Sequence, residues 1–171
     1  PIPVVAIAGS DKLFPVHRIY CVGRNYADHA REMGHDPNRE PPFFFQKSPH
    51  NLVPAGAPKG GIFPYPTKSA NVQHEIEMVC ALGEGGSDVS KEEALNLIWG
   101  DGVGLDMTRR DLQREAKKAG RPWDVAKAFE YSAPISPLRP AAEIKDIDNA
   151  CIWLKVNDEL RQKGNLSQLI W

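Results

Sequence analysis

Residues 72–82, Val-Gln-His-Glu-Ile-Glu-Met-Val-Cys-Ala-Leu, alternate in chemistry with a period of two, which is the period of a strand. Val72, His74, Ile76, Met78, Cys80 and Leu82 share one face, apolar except for His74, and this face is expected to be buried. Gln73, Glu75, Glu77, Val79 and Ala81 share the other. Glu75 and Glu77 therefore project side by side, whereas on a helix they would point about 200° apart. Parallel carboxylates repel one another unless a proton or a cation sits between them. Two readings are open: a solvated strand face carrying two surface glutamates, or a site for a hard divalent cation. Mg²⁺ is usually held by one or two carboxylates together with water and substrate oxygens. On either reading His74 points away from the glutamates, so it is expected in the core or bonded behind them.

The rest of the chain narrows the class of partner. Lys and Arg total 21 against 22 Asp and Glu, a net charge of -1 over 171 residues, which gives no electrostatic case for nucleic acid or an anionic membrane surface. No run approaches the ~18 apolar residues of a spanning helix, and no charged-then-apolar leader opens the sequence. Cys21, Cys80 and Cys151 lie far apart with no CxxC pairing. Cys21 and Cys80 sit in apolar runs and are expected as reduced core residues, so a soluble cytoplasmic protein with one domain is expected.

Strands are expected over 4–8, 18–22, 41–46, 101–106 and 151–156, the last turning at Asn157-Asp158 into 159–162. Asn25 can cap a helix through Met33, closed by Gly34. On it His29 and Glu32 stand three apart and share a face, as a general-base pair or as an ordinary surface pair. Ser90 and Glu93 form a capping box for a helix reaching Trp99 and closed by Gly100. Thr108 and Asp111 suggest a second box, opening a helix over 109–119. The glycines of Asp101-Gly-Val-Gly-Leu-Asp106 lack nucleotide-loop spacing and instead suggest a strand against which another backbone packs closely. The Lys and Arg residues between Arg109 and Lys127 alternate with acids, as on a solvated helix face.

Several ordered motifs resemble the fumarylacetoacetate hydrolase family in its acylpyruvase branch, most closely the bacterial fumarylpyruvate hydrolases. These are Tyr-Cys-Val-Gly-Arg-Asn-Tyr-Ala-Asp-His (20–29), Phe-Phe-Phe-Gln-Lys (43–47), His-Glu-Ile-Glu (74–77), Gly-Leu-Asp-Met-Thr-Arg-Arg-Asp-Leu-Gln (104–113), Gly-Arg-Pro-Trp-Asp-Val-Ala-Lys (120–127) and Trp-Leu-Lys-Val-Asn (153–157). The resemblance implies a β-rich α+β fold, a mixed β-sandwich or roll with a few short helices, in a single catalytic domain over 1–171 and commonly in a homodimer. It implies a Mg²⁺ or Mn²⁺ site at Glu75, Glu77 and Asp106. His29, oriented by Glu32, would activate water from a helix that closes over the site. Lys127 would stand at the reacting oxygens, Arg110 and Gln113 would touch substrate, and Arg24 and Lys47 would serve a distal carboxylate.

The implied reaction is hydrolysis of a carbon–carbon bond in a 2,4-diketo acid, fumarylpyruvate or a related acylpyruvate, in aromatic catabolism such as gentisate breakdown. An alternative is oxaloacetate decarboxylation or isomerisation of an unsaturated keto diacid, because the same chelate stabilises the same enolate. A further alternative is a truncated, non-catalytic scaffold. The family pattern continues beyond a position such as Trp171 to a Thr-Gly-Thr-Pro segment, so the catalytic domain is expected to be incomplete at its C-terminus. The pattern also has Lys-Pro where Lys47-Ser48 stands here.

Overall fold

The structure, a computed structural model, describes residues 1–26, 41–56 and 60–171. The helix expected after Asn25, with His29 and Glu32, lies outside the described residues. Proline and glycine, 15 and 14 of them, keep the strands short by removing ladder donors and side-chain packing. Strand β1 (Val4–Ala6) pairs antiparallel with β2 (Leu13–Pro15), and β3 (Ile19–Gly23) with β4 (Phe43–Lys47). A 3-10 turn at Pro49–Asn51 leads into β5 (Leu52–Pro54). Strands β6 (Val72–Gln73) and β7 (Ile76–Leu82) follow, then helix α1 (Lys91–Asn96) and the long strand β8 (Ile98–Leu105).

Strand β8 is the hub of the fold. It pairs antiparallel with β7 on one edge, and on the other with β10 (Ala133–Ile135) and β11 (Arg139–Pro140). Strand β10 continues in parallel to β5. Between β8 and β10 the chain forms β9 (Thr108–Arg109), helix α2 (Arg110–Lys118) and the one-turn helix α3 (Asp124–Lys127). A hairpin of β12 (Cys151–Val156) and β13 (Glu159–Asn165) follows, with Asn157 and Asp158 both at positive φ, as a two-residue turn requires, before a 3-10 turn at Leu166–Gln168. The fold is β-rich α+β with a few short helices, as expected. Its core gathers Val5, Ala81, Ile135 and Leu138, with Phe14, Val16, Leu52, Val79 and Trp99 packed against them.

The glycines of β8 show why that strand can be central. A Cβ on Gly100 would lie 2.4 Å from the Arg139 carbonyl oxygen, and one on Gly104 would lie 2.9 Å from Val79 Cγ2. Backbone and side chain both occupy the space that a side chain would need, which is the close approach expected of strand glycines.

Four local expectations change. The strand at 72–82 is interrupted at His74-Glu75, and its faces are reversed: Ala81 is buried and Val79 joins the core, while Cys80 and Leu82 are exposed. The face carrying Glu77 thus looks inward. Counting apolar residues pointed the other way because Ala81 contributes little hydrophobicity, although β8 and the β1 layer cover it. Helix α1 has its Ser90–Glu93 capping box but ends at Asn96, since β-pairing of Ile98 with Leu82 takes over before Gly100. No Thr108–Asp111 box forms. Thr108 is fully buried and donates to the Asp106 carbonyl, while Asp111 accepts from Ser69 Oγ and the Ala70 amide. Cys21 is half-buried and Cys80 exposed, so neither is a core thiol; all three cysteines are free.

Candidate active site

Antiparallel register assembles the centre. Pairing Ile76 with Leu105 sets Glu75 opposite Asp106, and the Asp106 amide donates to the Glu75 carbonyl at 2.8 Å. Two acidic residues 31 positions apart thereby meet at one end of the β7–β8 ladder. Helix α3 delivers Lys127 from the other side, its amide bonded to the Trp123 carbonyl. Lys127 Nζ donates to Glu75 Oε2 at 2.7 Å and to Asp106 Oδ2 at 2.6 Å, so one ammonium bridges both carboxylates. Lys47, the last residue of β4, places its ammonium 2.8 Å from Asp106 Oδ1 and donates to the carbonyls of Met107 and Lys127. Both lysines are only 3% exposed and Asp106 only 7%, so these charges are held out of water.

Arg110 opens α2 and spreads over three acceptors. Its NH2 pairs with Glu75 Oε1, NH1 donates to Gln113 Oε1 at 2.8 Å, and Nε donates to Gln73 Oε1 at 2.9 Å. Gln113 is itself buried one helical turn along. The spacing of residues 110 and 113 brings both side chains to this centre. Gln73 was not singled out, although it shares the alternating face of Glu75 and Glu77 and could have been found by that signal.

The three carboxylates differ electrically. Burial alone would raise Glu75, but Lys127 and then Arg110 outweigh it and hold the carboxyl far below its ordinary value. Burial raises Asp106, with Lys47 and Lys127 opposing and Glu75 adding to the rise. Glu77 has neither a hydrogen bond nor an ion pair among the described residues. Burial, then the negative charges of Glu75 and Asp106, push its pKa up to about 8. Among the described residues no three acidic, histidine or cysteine side chains already converge on one point at ligand spacing. The Lys127 ammonium takes the place between Glu75 and Asp106. The three hard oxygen donors, one of them without a compensating cation, still suit a divalent ion in their chemistry. His74 faces elsewhere, its Nδ1 3.2 Å from Gln162 Oε1, which also accepts from the Ile76 amide.

Beside this centre opens a pocket of about 370 Å³, within the range of small-molecule sites, with Lys127 in its wall. Phe43 and Phe45, alternate residues of β4, and Trp123, just before α3, form its aromatic side. Lys127 Nζ lies 5.0 Å from the Phe45 ring centroid, and the Arg24 guanidinium 5.0 Å from that of Phe43. Lys47 is placed differently from its expected role. With its ammonium buried against Asp106 and two carbonyls, it supports the acidic centre and presents no free face to a distal carboxylate.

Known proteins share this fold. The model of the fumarylacetoacetate hydrolase C-terminal domain matches residues 18–171. The crystal structure of a fumarylpyruvate hydrolase from Pseudomonas aeruginosa, in complex with Mn²⁺ and pyruvate, superposes with a TM-score of 0.92 at 52% identity, covering 99% of this chain and 73% of that one. The mitochondrial oxaloacetate tautomerase FAHD1 of Bos taurus is 43% identical over 153 residues, 90% of this chain and 67% of the relative. A mitochondrial oxaloacetate decarboxylase from Dictyostelium discoideum is 38% identical over 154 residues, 90% of this chain and 69% of that protein. With a matching family model over nearly its whole length, the chain belongs to the fumarylacetoacetate hydrolase family.

Proposed function

We propose that the protein is a divalent-metal-dependent hydrolase that cleaves fumarylpyruvate, or a related acylpyruvate, into a carboxylic acid and pyruvate. The observation that carries this reading is the Lys127 ammonium in the wall of a pocket, bridging half-buried Glu75 and buried Asp106. Glu75, Glu77 and Asp106 would hold Mg²⁺ or Mn²⁺, and the fumarylpyruvate hydrolase crystallised with Mn²⁺ and pyruvate supports that choice. The ion, when bound, supplies Lewis-acid polarisation of the keto acid.

The remaining work belongs to side chains. Arg110 and Gln113 orient the keto-acid end, and Lys127 holds a hydrogen bond toward the oxygen on which negative charge develops. His29 and Glu32, assigned from sequence resemblance and outside the described residues, would supply the base that takes a proton from water as the water adds to the distal carbonyl carbon. The bond from that carbon to the adjacent CH₂ then breaks, and the CH₂ carbon takes a proton to complete pyruvate. Oxaloacetate tautomerisation or decarboxylation is the second reading, favoured by the names of the relatives at 43% and 38% identity. Oxaloacetate shares the 2-keto acid end but needs no water nucleophile.

The test is a panel of fumarylpyruvate, acetylpyruvate and oxaloacetate, assayed with Mg²⁺, with Mn²⁺ and with EDTA. Diketo-acid cleavage that disappears with EDTA and returns with metal is expected. Cleavage that survives complete metal removal would overturn the mechanism, and turnover of oxaloacetate alone would select the second reading.

A further inference from the structure

Helix α2 carries a third polar residue on the face that supplies Arg110 and Gln113. Lys117 follows Gln113 by four positions and Arg110 by seven, so the three line one stripe of the helix. Its ammonium lies 4.9 Å from the centroid of the Trp123 ring. Trp123 in turn meets Phe43 edge to face at 5.1 Å, and Arg24 sits over the far end of this floor, against Phe43. Lys117 is close enough to Arg110, Arg24 and Lys127 for their charges to act on it. Desolvation first and then these three cations lower its pKa, with Glu75 opposing. Positive charge is thus concentrated where the aromatic pocket leaves the acidic centre.

Three of the other cations are held by the centre's carboxylates, and Arg121 stands in the pocket wall next to Trp123. Lys47 is tied to Asp106, Lys127 to Glu75 and Asp106, and Arg110 to Glu75. Lys117 has no hydrogen bond or ion pair among the described residues. An exposed ammonium held over an aromatic face beside other cations, with no acid bonded to it among the described residues, is placed to bind an anion from solvent.

We propose that Lys117 is a specificity-determining residue, binding the distal carboxylate of a dianionic diketo acid over the Phe43–Trp123 floor while the keto-acid end lies at Arg110, Gln113 and Lys127. The inference rests on the proposed diketo-acid chemistry and names the substrate class within it: diketo acids with a second carboxylate at the far end. Lys117 acts on binding, so its loss raises KM more than it lowers kcat.

Lys117→Gln and Lys117→Arg, in the metal-loaded protein, are compared on fumarylpyruvate, which has a distal carboxylate, and acetylpyruvate, which has none. Because Lys117 is exposed, the low end of a charge-assisted contact applies. A rise of about tenfold in KM for fumarylpyruvate is expected in Lys117→Gln, with kcat within about twofold and acetylpyruvate unaffected. Lys117→Arg should recover most of the loss. Equal loss on both substrates would mark a merely structural residue, and no change on either a solvated lysine; both results overturn the inference. If the parent protein cleaves neither compound, the reaction assignment has failed, and calorimetry then compares the binding of the two compounds. Tighter binding of fumarylpyruvate that is lost in Lys117→Gln then supports Lys117 independently. Failure to bind either, or discrimination retained in the variant, overturns it.

Discussion

Glu77 shows how much one side chain's surroundings decide. Its strand face is the inward one, and the cations at the centre are drawn to Glu75 and Asp106 instead. A carboxyl raised to about 8 from 4.5 keeps its proton in the folded protein after the unfolded chain has released it. Its contribution is therefore fully present below about pH 4.5 and is lost as pH rises toward about 8, so the metal-free protein should be less stable near pH 8 than near pH 5. The loss is on the order of a few kcal/mol at most. Urea unfolding in EDTA measures it, and Glu77→Gln should flatten the dependence; an unchanged slope would mean that Glu77 titrates normally. Glu75 has the opposite sign: its pKa, lowered to about 2, contributes stability that is fully present above about pH 4.5 and is lost as pH falls toward 2, which leaves this window nearly untouched.

At the scale of elements, period and capping were legible in the sequence, while lengths and faces were less so. The Ser90–Glu93 box and the Asn157-Asp158 hairpin are local chemistry, and both stand where their residues place them. The inward face of β7 depends on what covers it, so small Ala81 becomes core while larger Leu82 does not. Strand β8 illustrates the same dependence. Gly100 faces the Arg139 carbonyl of β11 from 2.4 Å, where a methyl group would stand, and that neighbour is rigid backbone. Gly100→Ala should cost roughly 1–3 kcal/mol by overpacking and loosen β11 from β8. Thermal unfolding would read the loss, and hydrogen exchange at Asp101 and Arg139 would locate it. A variant with the parent's stability would mean that the two strands can separate freely.

Across the whole molecule, Asp106 joins pieces that are distant in sequence: Lys47 from β4, Lys127 from α3, and Glu75 through the β7–β8 register. Asp106→Asn keeps the shape but leaves two buried ammonium groups with one fewer negative charge between them. Breaking such a pair from one side is expected to cost about 3–5 kcal/mol, read as a lower urea midpoint, with activity lost as well. A midpoint within error of the parent would show that these charges are solvated in solution. Sequence alone determined the β-rich class, the family and the 110–113 spacing, because each is written in local order and period. Tertiary structure alone decided that the glutamate face looks inward, that Lys47 supports Asp106, and that Lys117 stands over Trp123. Those outcomes follow from which surfaces cover which and from charges meeting across long stretches of chain, and neither leaves a periodic trace in the sequence.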